Sequence, residues 1–440
     1  MTITYDPVDP AYTDEPDVRR ELARTHEVCH GCRRCVGLCG VFPTLFDMLD
    51  SMAEPAADLL TPAQQDQVVD ACVHCTLCAV GCPNEHGATG ASDGGVDVPR
   101  LMLRARAMQF EHGHLGATGR MAARVLARPD KVGRVATKVP ALANRVVSVS
   151  NGSRVRGVLE RFTGASSVRR LGTFATERFS DWFADRPTIR LQRRQAAVTL
   201  FPTCIVEYQA TSIGKDLVKV YERNGIECSV SAARCCGAPL LHSGDIEAFA
   251  EVAEENMARL AAEIRAGTDI VVPQPACAHV LTVDSIEYVT SEQARRDAEL
   301  VAERTFDAAG YLMTLHRGDH YVLDTDFEGA VPQRITYQAS SLIRARGDGF
   351  PGRDLMRPPG ARIDVVHEPT GIGGIWSMRA GGDVGDAITQ RLAEQLDAAP
   401  GEVVVSDSHL ASLAIGEHAG VVPQHPLQVI ARAYGIPEET

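Results

Sequence analysis

No run of 18 apolar residues occurs in the 440-residue sequence, so no transmembrane helix is expected. The opening segment, MTITYDPVDPAYTDEPDV, is acidic and proline-rich and lacks the apolar stretch of a secretory signal. A cytoplasmic protein is therefore expected. Lys and Arg (44) are outnumbered by Asp and Glu (57), and the net charge of −13 argues against a nucleic-acid-binding protein. No Gly-x-Gly-x-x-Gly follows an apparent strand, so nucleotide or flavin binding is not expected, and no Ser-His-Asp hydrolase signature is visible. What is present, 45% apolar and 23% charged residues, suffices for two or three packed domains.

Cysteine is plentiful. Disulfides are rare in the cytoplasm, so 13 cysteines point to metal or redox chemistry. CHGCRRCVGLC, Cys29 to Cys39, and CVHCTLCAVGCP, Cys72 to Pro83, each space four cysteines by two, two and three residues. Soft thiolates from four directions are what an iron-sulfur cube requires. The two-two spacing wraps a loop around three corners, while the fourth cysteine starts a helix and, in two-cluster ferredoxins, ligates the other cluster. Cys29, Cys32, Cys35 and Cys82 are therefore assigned to one 4Fe-4S cluster, and Cys72, Cys75, Cys78 and Cys39 to a second. Zinc ribbons use separated pairs and fit this pattern less well. The first quartet departs in one place, with Gly40 where the second has Pro83. VFPTLFDMLDSM, TPAQQDQVVDAC (Thr61 as N-cap, Pro62 first in the helix) and VDVPRLMLRARAMQFEHG all read as helices, giving a helical two-cluster module over 15–113. His26, His30, His74 and His86 are expected at the surface or beside the ligands.

A basic helical linker follows at 114–195. Residues 116–195 hold 17 Lys and Arg against 5 Asp and Glu, which suits a solvated surface, a docking face for an acidic partner or an anionic-membrane face. Residues 196–332 read as α/β. AAVTLFPTC is a strand ending at Cys204, ATSIGKDLVKVYERNG a helix stopped by Gly225, IECSVS a strand, ARCCGAP a loop, and DIVVPQPAC a buried strand ending at Cys277, after a long helix ending at Gly267. Parallel βαβ units gather ligands at the C-terminal ends of strands, so Cys204, Cys235, Cys236 and Cys277 are expected to form a third, four-thiolate site. Cys228, inside an alternating strand, is expected in the core, and His242 and His279 as hydrogen-bonded neighbours of the site.

CCGAP, with Cys204 before it and PACAHVL after it, resembles the CCG domain of heterodisulfide reductase subunits, glycolate oxidase iron-sulfur subunits and the C subunit of anaerobic glycerol-3-phosphate dehydrogenase. The last is similar in layout over nearly the whole chain, joining two ferredoxin quartets to two CCG domains, and TFATERFSDWF resembles its linker. The resemblance places CCG ligands on Cys204, Cys235, Cys236 and Cys277. Val280 stands where heterodisulfide reductases have a further cysteine, so an ordinary four-cysteine cluster, zinc or free thiols are the options, not a five-thiolate cluster. Residues 333–440 resemble a second CCG domain without cysteine: Ser341, Pro369, Thr370 and Ser408 stand at the ligand positions, while Gly371, Gly374 and Trp376 persist in the weak glycine cluster GIGG and after it. His367, Glu368, Asp407, His409, His418 and His425 are expected to be solvated loop residues, the alternative being a non-thiolate metal site. The expected fold is α/β with an N-terminal all-α two-cluster domain and two pseudo-repeated βαβ domains.

The expected function is single-electron transfer within an oxidoreductase whose substrate-oxidising cofactor sits in a flavin- or iron-containing partner. Electrons would pass two 4Fe-4S clusters to or from the CCG site, which holds a third cluster or zinc, and from there to a protein or quinone. The alternatives are a redox-sensing or scaffold protein with structural clusters and zinc, and a peripheral quinone reductase held to the membrane by the basic block.

Overall fold

The computed structural model describes residues 5–85, 95–113, 127–149, 153, 154, 156–158, 170–187, 189, 191, 193–233, 235–318, 321–366, 383–398, 401–418, 420 and 422–438. The N-terminal region is helical: α1 (Glu15–Cys32), α2 (Val41–Asp50), α3 (Pro62–Ala71) and α4 (Val98–Glu111). Local chemistry sets each start. Asp14 accepts the Asp17 N–H at the head of α1, and Asp97 does the same for Arg100 at the head of α4. Thr61 caps α3 and Pro62 takes its first position, as the sequence predicts, and Gln64 completes a capping box. Leu22, Leu45, Leu49 and Leu101 form a fully buried core between these helices. A single bridge, Glu85 to Val96, is the pairing seen here among the described residues.

Short helices α5 (Pro129–Ala136), α6 (Pro140–Val147) and α7 (Phe179–Asp185) lead to a parallel sheet. Its strands β1 (Ala196–Leu200), β2 (Ile226–Val230), β3 (Asp269–Val272) and β4 (Thr305–Asp307) lie in the order β2-β1-β3-β4. The connecting helices are α8 (Thr203–Tyr208), α9 (Thr211–Arg223), α10 (Ala238–Ser243), α11 (Ile246–Arg265), α12 (Pro275–His279) and α13 (Glu292–Glu303), and α14 (Ala308–His316) follows β4. A second parallel sheet comprises β5 (Arg334–Gln338), β6 (Arg362–Val365) and β7 (Val403–Ser406) in the order β6-β5-β7, with α15 (Ser341–Ala345), α16 (Pro351–Met356), α17 (Asp383–Ala398), α18 (His409–His418) and α19 (Pro426–Ala433) around it. In both sheets the first strand lies between the second and third. One apolar core spans them, from Val198 and Leu200 to Ile335, Tyr337 and Val405.

Two strands are shorter than expected. β1 stops at Leu200 and β3 at Val272, so Cys204 and Cys277 lie on the helices that follow, α8 and α12, beyond the strand ends. Proline explains both breaks: Pro202 and Pro273 have no N–H to donate to a ladder. Cys228 is a core residue of β2, 9% exposed. His86, His367, Glu368, Pro369, Thr370, Gly371, Gly374 and Trp376 lie outside the described residues, as does much of the basic linker.

Candidate metal centres

The two N-terminal quartets line two adjoining cavities, and they do so crosswise. One is walled by Cys29, Cys32, Cys35 and Cys82, with Phe42, Phe46 and Val98 among its apolar neighbours. The other is walled by Cys39, Cys72, Cys75 and Cys78, with Val68 and Met102. Cys78 lines both, and its carbonyl oxygen lies 3.9 Å from the Cys35 sulfur. The room for solvent inside them is small, about 20 and 30 Å³, enough for one or two waters each.

Among the described residues, no three His, Cys, Asp or Glu side chains close on a single-ion site. A cube takes one thiolate per iron, so its ligands surround a body and not a point. The thiols, set around a void and not on a point, fit that requirement.

Backbone and electrostatics match. The loop before α2 ends in Cys39, whose sulfur accepts the Val41 N–H at 3.4 Å, a helix N-terminus that favours a thiolate. Cys82 has no such helix among the described residues. His74 and Thr76 hold left-handed φ values of 54° and 58°, which costs about 1–3 kcal/mol each and bends the Cys72–Cys78 loop around its cavity. Burial first, then the neighbouring Cys35, Cys82 and Cys32, pushes the Cys29 thiol up to about 12. Burial also raises Cys75 to about 12, and Cys39 and Cys78 well above the ordinary thiol value. Four crowded, buried thiols ionise readily only when a cation offsets their repulsion, and iron does so.

The third thiol group is assembled as expected in composition, though from helices. Cys236 and Cys277 are buried with their sulfurs 3.2 Å apart. Cys204 and Cys235 share a hydrogen bond that lowers the Cys235 thiol and raises Cys204. Thr203 presents Cys204 from a left-handed φ of 61°, a genuine outlier for a β-branched residue. Gly237 of the CCG sequence sits at φ 85°, and a Cβ there would meet the Phe249 ring at 2.9 Å. This close approach requires glycine. Asp130, at the start of α5, faces Cys204 and Cys235, a contribution from the basic linker that sequence reading missed.

His26 and His74 line the second cavity beside its thiols, one of the two places expected for them, and neither is at the surface. His26, His74, His242 and His279 are buried. His74 stands between Cys72 and Cys75, and its ring meets that of His242, on α10 directly after the CCG segment, at 4.6 Å. Arg106 of α4 bridges the same junction, donating to the carbonyls of Cys72 and His242. Gly244 permits it, because a Cβ there would lie 2.2 Å from the Arg106 carbonyl. The second and third thiol groups are thus joined through His74, His242 and Arg106, which no sequence spacing reveals. Burial lowers His242 to about 3 and His279 to about 4, so both rings are neutral at neutral pH.

Asp407 and His425 are also buried, at 1% and 3% exposure, and not solvated as expected. Burial lowers His409 to about 4. Ser341 and Ser408 are buried at the ends of β5 and β7. The His418 side chain is outside the described residues.

Comparison with known proteins matches two domains of this chain. A profile of the 4Fe-4S dicluster domain matches residues 28–86, and one of the CCG cysteine-rich domain matches residues 198–282. Lactate utilization protein A of Bacillus thuringiensis is 32% identical over 188 residues, 41% of this chain and 74% of that protein. Lactate utilization protein A of Geobacillus thermodenitrificans is 24% identical over 239 residues, 53% of this chain and 95% of that protein. The C subunit of the anaerobic glycerol-3-phosphate dehydrogenase of Escherichia coli is 23% identical over 406 residues, 84% of this chain and 99% of that protein.

Proposed function

The chain belongs to the family of iron-sulfur proteins that join a 4Fe-4S dicluster domain to a CCG cysteine-rich domain, and from that premise we propose that it is the electron-transfer subunit of an oxidoreductase whose substrate-oxidising cofactor sits in a partner. One observation carries the reading: two cavities that share Cys78, the second joined to the CCG thiols through His74 and His242. When bound, the clusters supply single-electron carriage, with potentials set by burial and by hydrogen bonds to sulfur.

In this reading Cys29, Cys32, Cys35 and Cys82 hold one cluster and Cys72, Cys75, Cys78 and Cys39 the other. Cys204, Cys235, Cys236 and Cys277 hold a third centre, read here as iron-sulfur; zinc is the alternative. The chain divides at 15–113, 114–195, 196–332 and 333–440. The last part is a pseudo-repeat that has lost its thiolates; the shared strand order and the buried Ser341 and Ser408 support this. A relative named as part of a dehydrogenase supports a flavin- or iron-containing partner.

Among the described residues no helix is long and apolar enough to cross a membrane. A peripheral contact, to a quinone-bearing membrane or another surface, is supported by Val135, Val139 and Leu142, at least half exposed beside Lys131, Lys138 and Arg145. Binding to anionic vesicles that disappears at high salt is expected; no binding at low salt removes this contact.

The electron-transfer reading is tested by redox cycling of anaerobically purified protein. Reduction by dithionite and reoxidation with iron retained is the expected result. Clusters that resist reduction, or shed iron in one cycle, favour the alternative of a redox-sensing or scaffold protein with structural clusters and zinc.

A further inference from the structure

Two aspartates at strand ends have no role in the account above. Asp307 closes β4 and Asp407 follows β7, at 5% and 1% exposure. Each commits one carboxyl oxygen to the fold. Asp307 Oδ2 accepts the N–H groups of Ala309 and Gly310, both at 3.0 Å. Asp407 Oδ2 accepts the Tyr337 hydroxyl at 2.6 Å and the Ser340 N–H at 3.4 Å. Both Oδ1 atoms are buried without a partner, and so is the Ser341 hydroxyl. Orphaned polar groups are rare in native interiors, and three at the C-terminal ends of parallel strands occupy the position where such sheets do chemistry.

The surrounding charges leave the pair uncompensated. Arg346 and Asp348 face Asp307 from beyond α15, but they pair with each other at 3.0 Å. Arg353 faces Tyr337 from α16 and pairs with Asp354 at 2.8 Å. A buried carboxyl that leaves one oxygen without a partner favours its protonated form. Burial first, then Asp307, pushes Asp407 up to about 8, and burial raises Asp307 as well.

The pair shares a wall with the CCG thiols. Helix α12, which carries Cys277, packs on β4, which ends in Asp307, and on α15, which begins at Ser341. Gln274, three residues before Cys277, donates to Ser408 Oγ at 3.0 Å and accepts the His409 N–H at 3.2 Å.

We propose that the buried carboxyls of Asp307 and Asp407 take up one proton from water as the CCG centre gains an electron and release it as the centre loses that electron. This rests on the reading that the third thiol group holds a redox-active iron-sulfur centre. The balance is one electron from the redox partner and one proton from water on reduction; both leave on oxidation, the electron to the acceptor. Only an O–H bond forms and breaks. Negative charge added at the centre favours the protonated pair, and by reciprocity the protonated pair favours the reduced centre.

The test is an EPR-monitored potentiometric titration of the CCG signal in the full chain, at several pH values around 8. The midpoint potential is expected to fall as pH rises, by up to about 59 mV per tenfold change in proton concentration for one electron. Asp407→Asn is expected to flatten that slope and to remove a protonated-carboxyl infrared band, leaving the Cys29 and Cys72 clusters unchanged. The Tyr337 hydroxyl lowers the Asp407 value, so Tyr337→Phe, a milder change, is expected to move the sloping region to higher pH. A pH-independent CCG potential in the intact protein, or an unchanged slope in both Asp407→Asn and Asp307→Asn, overturns the inference alone. Absence of any redox signal from the CCG thiols overturns the reading beneath it and this inference together.

Discussion

Cys39→Ser is expected to abolish the same EPR signal that Cys75→Ser abolishes, and to leave the signal that Cys32→Ser abolishes. Cys39 lies seven residues after Cys32, yet it walls the cavity of Cys72, Cys75 and Cys78. Burial and then Cys75 and Cys72, not the members of its own quartet, raise its thiol. Serine oxygen is a hard, poor ligand for iron, so one cube should be lost, about four of the eight irons held by the two quartets. Cys82→Ser should conversely match Cys32→Ser. If Cys39→Ser instead removes the Cys32 signal, each quartet holds its own cluster and the crossed arrangement is wrong. Cys78 is the poor choice for this comparison because it lines both cavities.

Arg104→Met carries the second large effect, on stability. Arg104 is fully buried on α4 and donates to the carbonyls of Tyr12 and Ala11 at 2.8 and 2.7 Å and to Asp17 Oδ2 at 2.6 Å. Tyr12 in turn meets Tyr288 of the CCG unit through their hydroxyls at 2.8 Å. Removing the guanidinium leaves the buried Tyr12 carbonyl without this donor and takes a partner from the Ala11 carbonyl, which keeps the Asp14 N–H, and from Asp17, which keeps Arg20. A loss of about 3 kcal/mol is expected, the low end for a broken buried pair because Asp17 keeps some solvent access. Burial alone would raise the Asp17 carboxyl, but Arg104 and Arg20 outweigh it and hold it below its ordinary value. That contribution is therefore complete above the ordinary carboxylate pKa of about 3.9 and fades as pH falls through the lower folded value. Thermal unfolding, followed by bleaching of the cluster absorbance, should show a gap between parent and variant that closes in acid. A variant as stable as the parent at neutral pH would contradict this account of the N-terminal anchor.

The sequence made the thiol chemistry legible because short spacings constrain a loop directly. The cap at Thr61 and the core position of Cys228 follow from contacts within a few residues, and the crossing of the quartets from where a fourth cysteine, three residues on, must point. The exact ends of β1 and β3 were less legible, since Pro202 and Pro273 cut the ladders before the cysteines are reached. The depth of the histidines and their contact with one another were illegible for another reason. His74, His242 and His279 come from segments more than 160 or about 40 residues apart, and only the packing of α4 on α10 brings the first to the others. Asp307 and Asp407 were hidden in the same way. Each looks like an ordinary loop aspartate until β4 and β7 are set in neighbouring sheets.

The measurement that tests the central claim most directly is the iron, sulfide and zinc content of anaerobically purified protein, read with EPR before and after dithionite. The account predicts about twelve irons, three reducible signals and negligible zinc, with one signal lost in Cys235→Ser. About eight irons with one zinc, and no signal sensitive to Cys235→Ser, would contradict it and leave the CCG thiols as a structural site.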